Sequence, residues 1–383
     1  MFFGMGRRVT NDDLPTPETS SSSGAEGIDE KRSLRVFVSY SHQDRTLARE
    51  IANILRDAGM DAMLDESMQV GEGFHDQIKN FIAHAHIFLP VLTKGAGSRK
   101  WVQQEIGYAV AMRVPLAPVA VGSDPGEFLH GIQAIRVDRA DAVSLRERLT
   151  EKSLRRCLDS AGTGRALYEC ADTTDERAVL LAEYANSVIR MDRHGCVRQA
   201  GGLSSFHIPA HTIGHEAWQL RYGRRLQSEY HRKVLREERR ALARHAEEKG
   251  CKLIIDPDLR FEFYGPWARL TRLESIRSYL ESMPDSLCEV ALSRDLKESL
   301  TIVGDWFVAK SISGKPGQGY RQTIFTRHAP TIEQMIDEFD TLFHQKLGAL
   351  KPRKSRLHAI DEIMLRIRAL EKDPEQRRQP ARK

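Results

Sequence analysis

Apolar positions begin abruptly at Leu34. Leu34-Arg35-Val36-Phe37-Val38-Ser39-Tyr40 is a short β-branched and aromatic run, the pattern of a buried strand. Asp44 or Thr46 then caps a predicted helix whose apolar positions Leu47, Ile51, Ile54 and Leu55 recur at helical spacing up to Gly59. Met60–Leu64 reads as a second strand, Gly71-Glu72-Gly73 as a turn, and Phe74, Ile78, Phe81 and Ile82 as the inner positions of a second helix. His86–Leu92 is apolar on both faces, as a central parallel strand should be. Ser98–Met112 is helical, Val114–Val121 a fourth strand despite two prolines, and Ile132–Val137 leaves room for a fifth. Strands alternating with helices of this length imply βαβ units and a parallel sheet covered on both faces.

Beyond about Ser144 the periodicity weakens. Leu145–Leu158 and Ala178–Ile189 look helical, and Gly195–Gly214 has no clear period, so 144–225 reads as a connector with helices. Gln227–Gly250 is a charged helix closed by Gly250. Cys251–Ile255, Glu289–Leu292, Leu300–Ser311 and Tyr320–Thr326 read as strands, and Leu270–Met283 and Thr331–Leu347 as helices, the latter with Thr331 as cap and Gln334 at capping-box spacing. This predicts an α/β or α+β domain over 226–350. Leu357, Ile360, Ile363, Met364 and Ile367 form one stripe of a last amphipathic helix within a basic segment, 351–383. Residues 1–30, rich in Ser, Pro, Thr, Asp and Glu, read as a disordered leader.

Charge adds uneven detail to this picture. The net charge is +5, yet residues 351–383 alone hold eleven Lys/Arg against five Asp/Glu, and 221–250 hold ten against five. Such segments suit nucleic acid, anionic lipid or an acidic partner, and equally suit a solvated helix face. The five cysteines are scattered without a CxxC pair, which suits reduced thiols in a cytosol. With no signal-peptide h-region and no run of about 18 apolar residues, a cytoplasmic location without a membrane span is expected.

Candidate chemistry follows from the topology. In parallel sheets ligands bind outside the carboxyl ends of the strands, here the loops after Val38, Leu64 and Leu92 and the helix opening at Ser98. Trp101 and Glu105 lie four residues apart and so share a face near that helix start. The indole suits a planar base and the carboxylate a developing positive charge; a core Trp beside a solvent-facing Glu satisfies the same spacing. His207, His211 and His215 recur every four residues, but Pro209 and Gly214 oppose a helix there and no Cys or carboxylate completes a metal set, so no metal site is expected. Gly314–Arg321 is Gly-rich with Lys and Arg but lacks the P-loop arrangement, and a plain hairpin loop fits it better.

Four ordered blocks carry a family resemblance. Val36–Asp44 resembles the opening strand of TIR domains, and Leu64-Asp65-Glu66 with Gly71–Phe74 is similar to their second strand and BB loop. His86–Thr93 resembles the third strand, and Ser98–Glu105 the "S..W...E" signature, with Val102 where relatives often have Cys. The resemblance implies a flavodoxin-like TIR domain over 31–143 with a five-stranded parallel sheet. It implies Glu105 as the catalytic residue of NAD+ cleavage at the nicotinamide–ribose bond. Tyr40, Ser41, His42, Asp65, Phe74 and Trp101 are the implied NAD-binding positions. His42 stands where several relatives have a basic residue, and a neutral imidazole is a poorer phosphate partner than Arg. For Phe74 a place in the core is an equal alternative.

The expectation is thus an NAD+ glycohydrolase, with NAD+ as substrate and no cofactor, active on self-association through TIR domains. The resemblance suggests a bacterial immune effector, with the 226–350 domain as sensor or regulator of an unidentified activating ligand or protein. A non-enzymatic TIR–TIR adaptor is the alternative from a different class.

Overall fold

The computed structural model describes residues 33–64, 74–94, 100–122, 134–137, 142–161, 168–207, 229–256, 266–294, 296, 299–313, 320–347 and 353–372. Its first sheet runs β1 (Arg35–Ser39), β2 (Asp61–Met63), β3 (Ile87–Leu92), β4 (Val119–Val121) and β5 (Ile135–Val137), all parallel in the order β2-β1-β3-β4-β5. The expected five-stranded parallel sheet is present.

Both faces of this sheet are covered because its central strands are apolar on both sides. Phe37, Phe88 and Leu92 face α2 (Phe74–His84) and α3 (Lys100–Ala111), meeting Ile78, Phe81, Ile82, Val102 and Ile106. Val36, Val38, Ile87, Leu89 and Val91 face the other way, onto Ala48, Ile51 and Leu55 of α1 (Arg45–Asp57). Leu145 of α4 (Ala142–Arg148) and Leu154 and Leu158 of α5 (Glu151–Ala161) complete that second layer. Gly59 ends α1 with φ +84°, a conformation that costs glycine nothing. The fourth strand is shorter than its apolar run: Pro115 and Pro118 carry no N–H, and Leu116 makes only an isolated bridge to Phe88 before β4 proper.

A second sheet of seven strands fills most of the remainder, in the order β6-β12-β11-β10-β7-β8-β9. Here β7 (Val197–Gly201), β8 (Cys251–Ile255) and β9 (Cys288–Leu292) are parallel. The strands β10 (Ser299–Val303), β11 (Phe307–Ser313), β12 (Tyr320–Thr326) and β6 (Tyr168–Ala171) continue it antiparallel. Ala200, Ile254, Ala291, Ile302 and Val308 pack on Ile332, Ile336, Phe339 and Phe343. These last four belong to α9 (Ala329–Leu347). The opposite face packs on α6 (Thr174–Arg190), α7 (Glu229–Lys249), α8 (Pro266–Ser282) and α10 (Arg353–Lys372), whose Ile360, Met364 and Ile367 form the expected buried stripe.

Three expectations for this region are corrected. The stretch 144–225 supplies the strands β6 and β7 of the second sheet, with α6 packed on it, and is more than a helical connector. The run Leu300–Ser311 is two strands, because Gly304-Asp305-Trp306 turns the chain and pairs Val303 with Phe307. Thr331 lies inside α9, which begins at Ala329, so it is not the cap; its hydroxyl lies 2.9 Å from His328 Nδ1. The connection from β11 to β12 does join adjacent antiparallel strands, as a hairpin requires, though 314–319 lie outside the described residues.

The two sheets share a hydrophobic cluster, in which α2 and α3 of the first unit meet residues of the second. At its edge Arg35, 2% exposed, pairs through Nη1 with Asp305 at 2.6 Å and donates through Nη2 to the Asp305 carbonyl at 2.8 Å. Its Nε–H donates to the His84 carbonyl, and its guanidinium lies 3.8 Å from the centre of the Trp306 ring. Burial, then the nearby Arg35 charge, holds the His86 imidazole down at about 3, and His84 is likewise held well below its ordinary value by burial and by Arg327 and Arg35. For the Asp305 carboxyl burial pushes up, but the combined pull of Arg35 and His86 leaves it below the usual range. Removing one partner of such a buried pair costs about 3–5 kcal/mol, because the other charge is left stranded.

Candidate functional site

The carboxyl end of the first sheet is where the sequence places a ligand. Ser39 ends β1, and the chain turns through Tyr40 and Ser41 into a short 3-10 turn, His42–Asp44, before α1. Helix α3 returns along the sheet and brings Glu105 to this end. Glu105 is only 6% exposed, and the Ser39 hydroxyl donates to its Oε2 at 2.5 Å. The solvent-facing alternative for Glu105 is therefore excluded. A buried carboxylate must be satisfied by donors, and the Ser39 contact holds one of its oxygens in a fixed direction.

Around this pair the rim is knit by short polar links. The Ser41 side chain accepts the Gln43 N–H at 3.4 Å, and the Thr93 hydroxyl, just past β3, donates to both Asp44 carboxylate oxygens at 3.0 Å. Tyr40 and Ser41 are buried beside Ser39, whereas His42 is exposed. Trp101 is half-buried and packs against the cluster that holds Phe37 and Phe88, one turn before Glu105. Glu105 thus meets Ser39, and Trp101 stands on the same helix, whereas the Tyr40 ring packs with Val38, Ile51 and Leu89 on the opposite face of the sheet. Phe74 opens α2. Asp65, Gly71-Glu72-Gly73 and Ser98 lie outside the described residues.

Ser39, Asp44 and Thr93 were not singled out as site residues from the sequence. Ser39 did carry a signal: its hydroxyl follows the apolar Val36-Phe37-Val38 at the end of a central strand, at the rim where ligands bind. Of the histidine series, His207 ends a 3-10 turn, and His211 and His215 lie outside the described residues. Among the described residues no three His, Cys, Asp or Glu side chains gather as a metal would require, and no helix is long and apolar enough to cross a membrane.

Residues 36–158 match the family model described as TIR domain. The first sheet and its helices are therefore a TIR domain, and the match runs on to include most of α5, which packs into that core. TIR domains serve in signalling, and the family includes enzymes that cleave NAD. No curated protein matches the chain.

Proposed function

We propose that this TIR domain is an NAD+ glycohydrolase in which Glu105 is the catalytic carboxylate. The observation that carries the reading is the buried Glu105 held by Ser39 at the carboxyl rim of a parallel sheet. Cleaving the nicotinamide–ribose bond builds oxocarbenium character on the ribose, and a fixed carboxylate stabilises that charge or holds the ribose hydroxyls. Nicotinamide departs as a neutral molecule from a cationic pyridinium, so no second carboxyl is required to protonate the leaving group. Water or an internal ribose hydroxyl or adenine nitrogen then accepts the ribosyl carbon, giving ADP-ribose or a cyclic product.

In this reading Trp101, Tyr40 and Ser41 contact the dinucleotide, joined by Asp65, Phe74 and, more weakly, the exposed His42. Self-association through TIR domains switches the enzyme on, and the second sheet domain receives the activating signal, as in a bacterial anti-phage effector. The test is product analysis of NAD+ incubated with the full chain at high concentration. Nicotinamide release by the wild type and its loss in Glu105→Ala support the reading. Self-association without nicotinamide release in the wild type would point instead to a TIR–TIR adaptor.

A further inference from the structure

A cleft lies between the TIR domain and the second sheet domain, at the amino-terminal edge of the parallel sheet and so on the side away from Glu105. Its walls on the TIR side include His86, Arg113 and Leu158, and on the other side Tyr184, Arg327 and Ala329. It has an empty volume of ≈ 530 Å³ including the open mouth, but room for the centres of water-sized guests of only ≈ 50 Å³. That holds a few waters or one small oxyanion. A nucleotide needs a pocket several times larger.

The chemistry of the walls selects the sign of the guest. Arg327 follows β12 and stands two residues before α9, and its guanidinium lies 4.0 Å from the centre of the Tyr184 ring. The stacking fixes the plane of the guanidinium, while its Nε–H is sealed from solvent and has no hydrogen-bond partner. Buried donors are nearly always satisfied, so this N–H marks the guanidinium as short of an acceptor. The Tyr184 hydroxyl donates to Glu169 and also interacts with the Arg327 side chain, while the Arg327 Nε–H itself is left without an acceptor. Ala329 opens a 19-residue helix, whose positive dipole end meets the same cleft. Arg113 stands exposed at the mouth, its backbone in the left-handed region at φ +56° where α3 ends. Two guanidiniums and a helix amino terminus face one carboxylate, Glu169.

We infer that this cleft binds a phosphate group, held by the Arg327 guanidinium and the start of α9, with Arg113 closing over it from the TIR domain. The guest touches both domains and therefore tightens their docking. The site is separate from the Glu105 rim, and its test reads binding alone, so it stands or falls independently of NAD+ cleavage.

The experiment is calorimetric titration of the full chain with inorganic phosphate, alongside thermal melts in phosphate and in sodium chloride of equal ionic strength. Saturable binding near one phosphate per chain is expected, with a rise in Tm that chloride does not reproduce. Arg327→Gln, which keeps a planar polar side chain, should weaken binding about tenfold or more, the worth of a hydrogen bond to a charged group. Arg113→Glu, at an exposed position, provides a second variant that leaves the core intact and should also weaken binding. Methyl phosphate binding more tightly than phosphate assigns the site to a phosphomonoester, and the reverse assigns it to the free ion. No saturable binding, equal affinity in folded Arg327→Gln and Arg113→Glu, or stabilisation that tracks ionic strength alone would overturn the inference.

Discussion

Ser39 and Glu105 stand 66 residues apart in the chain and meet because β1 ends and α3 begins at one rim of the sheet. In the proposed NAD+ cleavage Ser39 would act through Glu105 as a positioning residue. Ser39→Ala should lower nicotinamide release about tenfold while leaving KM for NAD+ nearly unchanged, since a hydrogen bond to a charged group is worth about 1.5–3 kcal/mol. Ser39→Thr keeps the hydroxyl in a strand-favouring residue and should recover most of the rate. Steady-state kinetics on the two variants decide this, and an unaltered rate in folded Ser39→Ala would remove Ser39 from the mechanism. Glu105 was legible in the sequence because Trp101 marks its helix face and its helix opens at the rim. Its burial was not, because the spacing fits an inward or an outward carboxylate equally, and only the partner on β1 decides between them.

At the scale of elements, the segment before β7 and the β10–β11 hairpin touch backbone to backbone. Gly304 N–H donates to the Cys196 carbonyl at 2.8 Å, and a Cβ at Gly195 would lie 2.6 Å from Gly304 N and 2.7 Å from its Cα. Backbone cannot yield as a flexible side chain can. Gly195→Ala should therefore destabilise the chain by about 1–3 kcal/mol or more, read as a lower urea midpoint at unchanged slope. A midpoint equal to wild type would show that the two segments are freer to part than this packing implies. The hairpin was hidden in the sequence because the apolar residues on both sides of Gly304-Asp305 read as one run, which masks the turn signal. The strand β7 was hidden for the opposite reason. Its Arg198 and Gln199 read as polar loop residues, yet both are buried: Arg198 forms two 3.0 Å bonds to Asp340, and Gln199 reaches Thr301. Those partners are more than a hundred residues away. At the edge, β6 buries only Ala171 and leaves no strong pattern to read. The parallel TIR sheet was legible by contrast, since β1 and β3 are buried along their whole length and announce themselves as apolar runs.

For the whole molecule, three buried imidazoles tie stability to pH. Burial holds His86 at about 3 and His245 at about 4, and His84 well below its ordinary value, so all three stay neutral in the folded chain at mildly acidic pH. In the unfolded chain each takes up a proton near pH 6.5. The unfolded state then binds more protons, so stability falls as pH drops from about 6.5 towards 4, by up to about 1.4 kcal/mol per pH unit for each histidine. Glu238, pushed up by burial against the pull of Arg177, acts in the opposite sense above its ordinary value, but it is one carboxyl against three imidazoles. Asp305, held low, adds acid sensitivity only below its ordinary range of about 4. Urea melts near about pH 7.5 and about pH 5.5 should show the lower midpoint in acid; an equal or higher one would contradict this account. His84 and His86 sit beside Arg35 at the junction of the two sheets, so the acid-sensitive locus is also where the TIR domain is held to its partner domain.

Glu105 is the residue on which the proposed activity turns. The direct measurement is nicotinamide released from NAD+ by the full chain, clustered at high concentration, compared with Glu105→Gln shown by its melting curve to be folded. The wild type should release nicotinamide together with ADP-ribose or a cyclic product, and Glu105→Gln should fall to background. Undiminished release by folded Glu105→Gln would contradict the assignment.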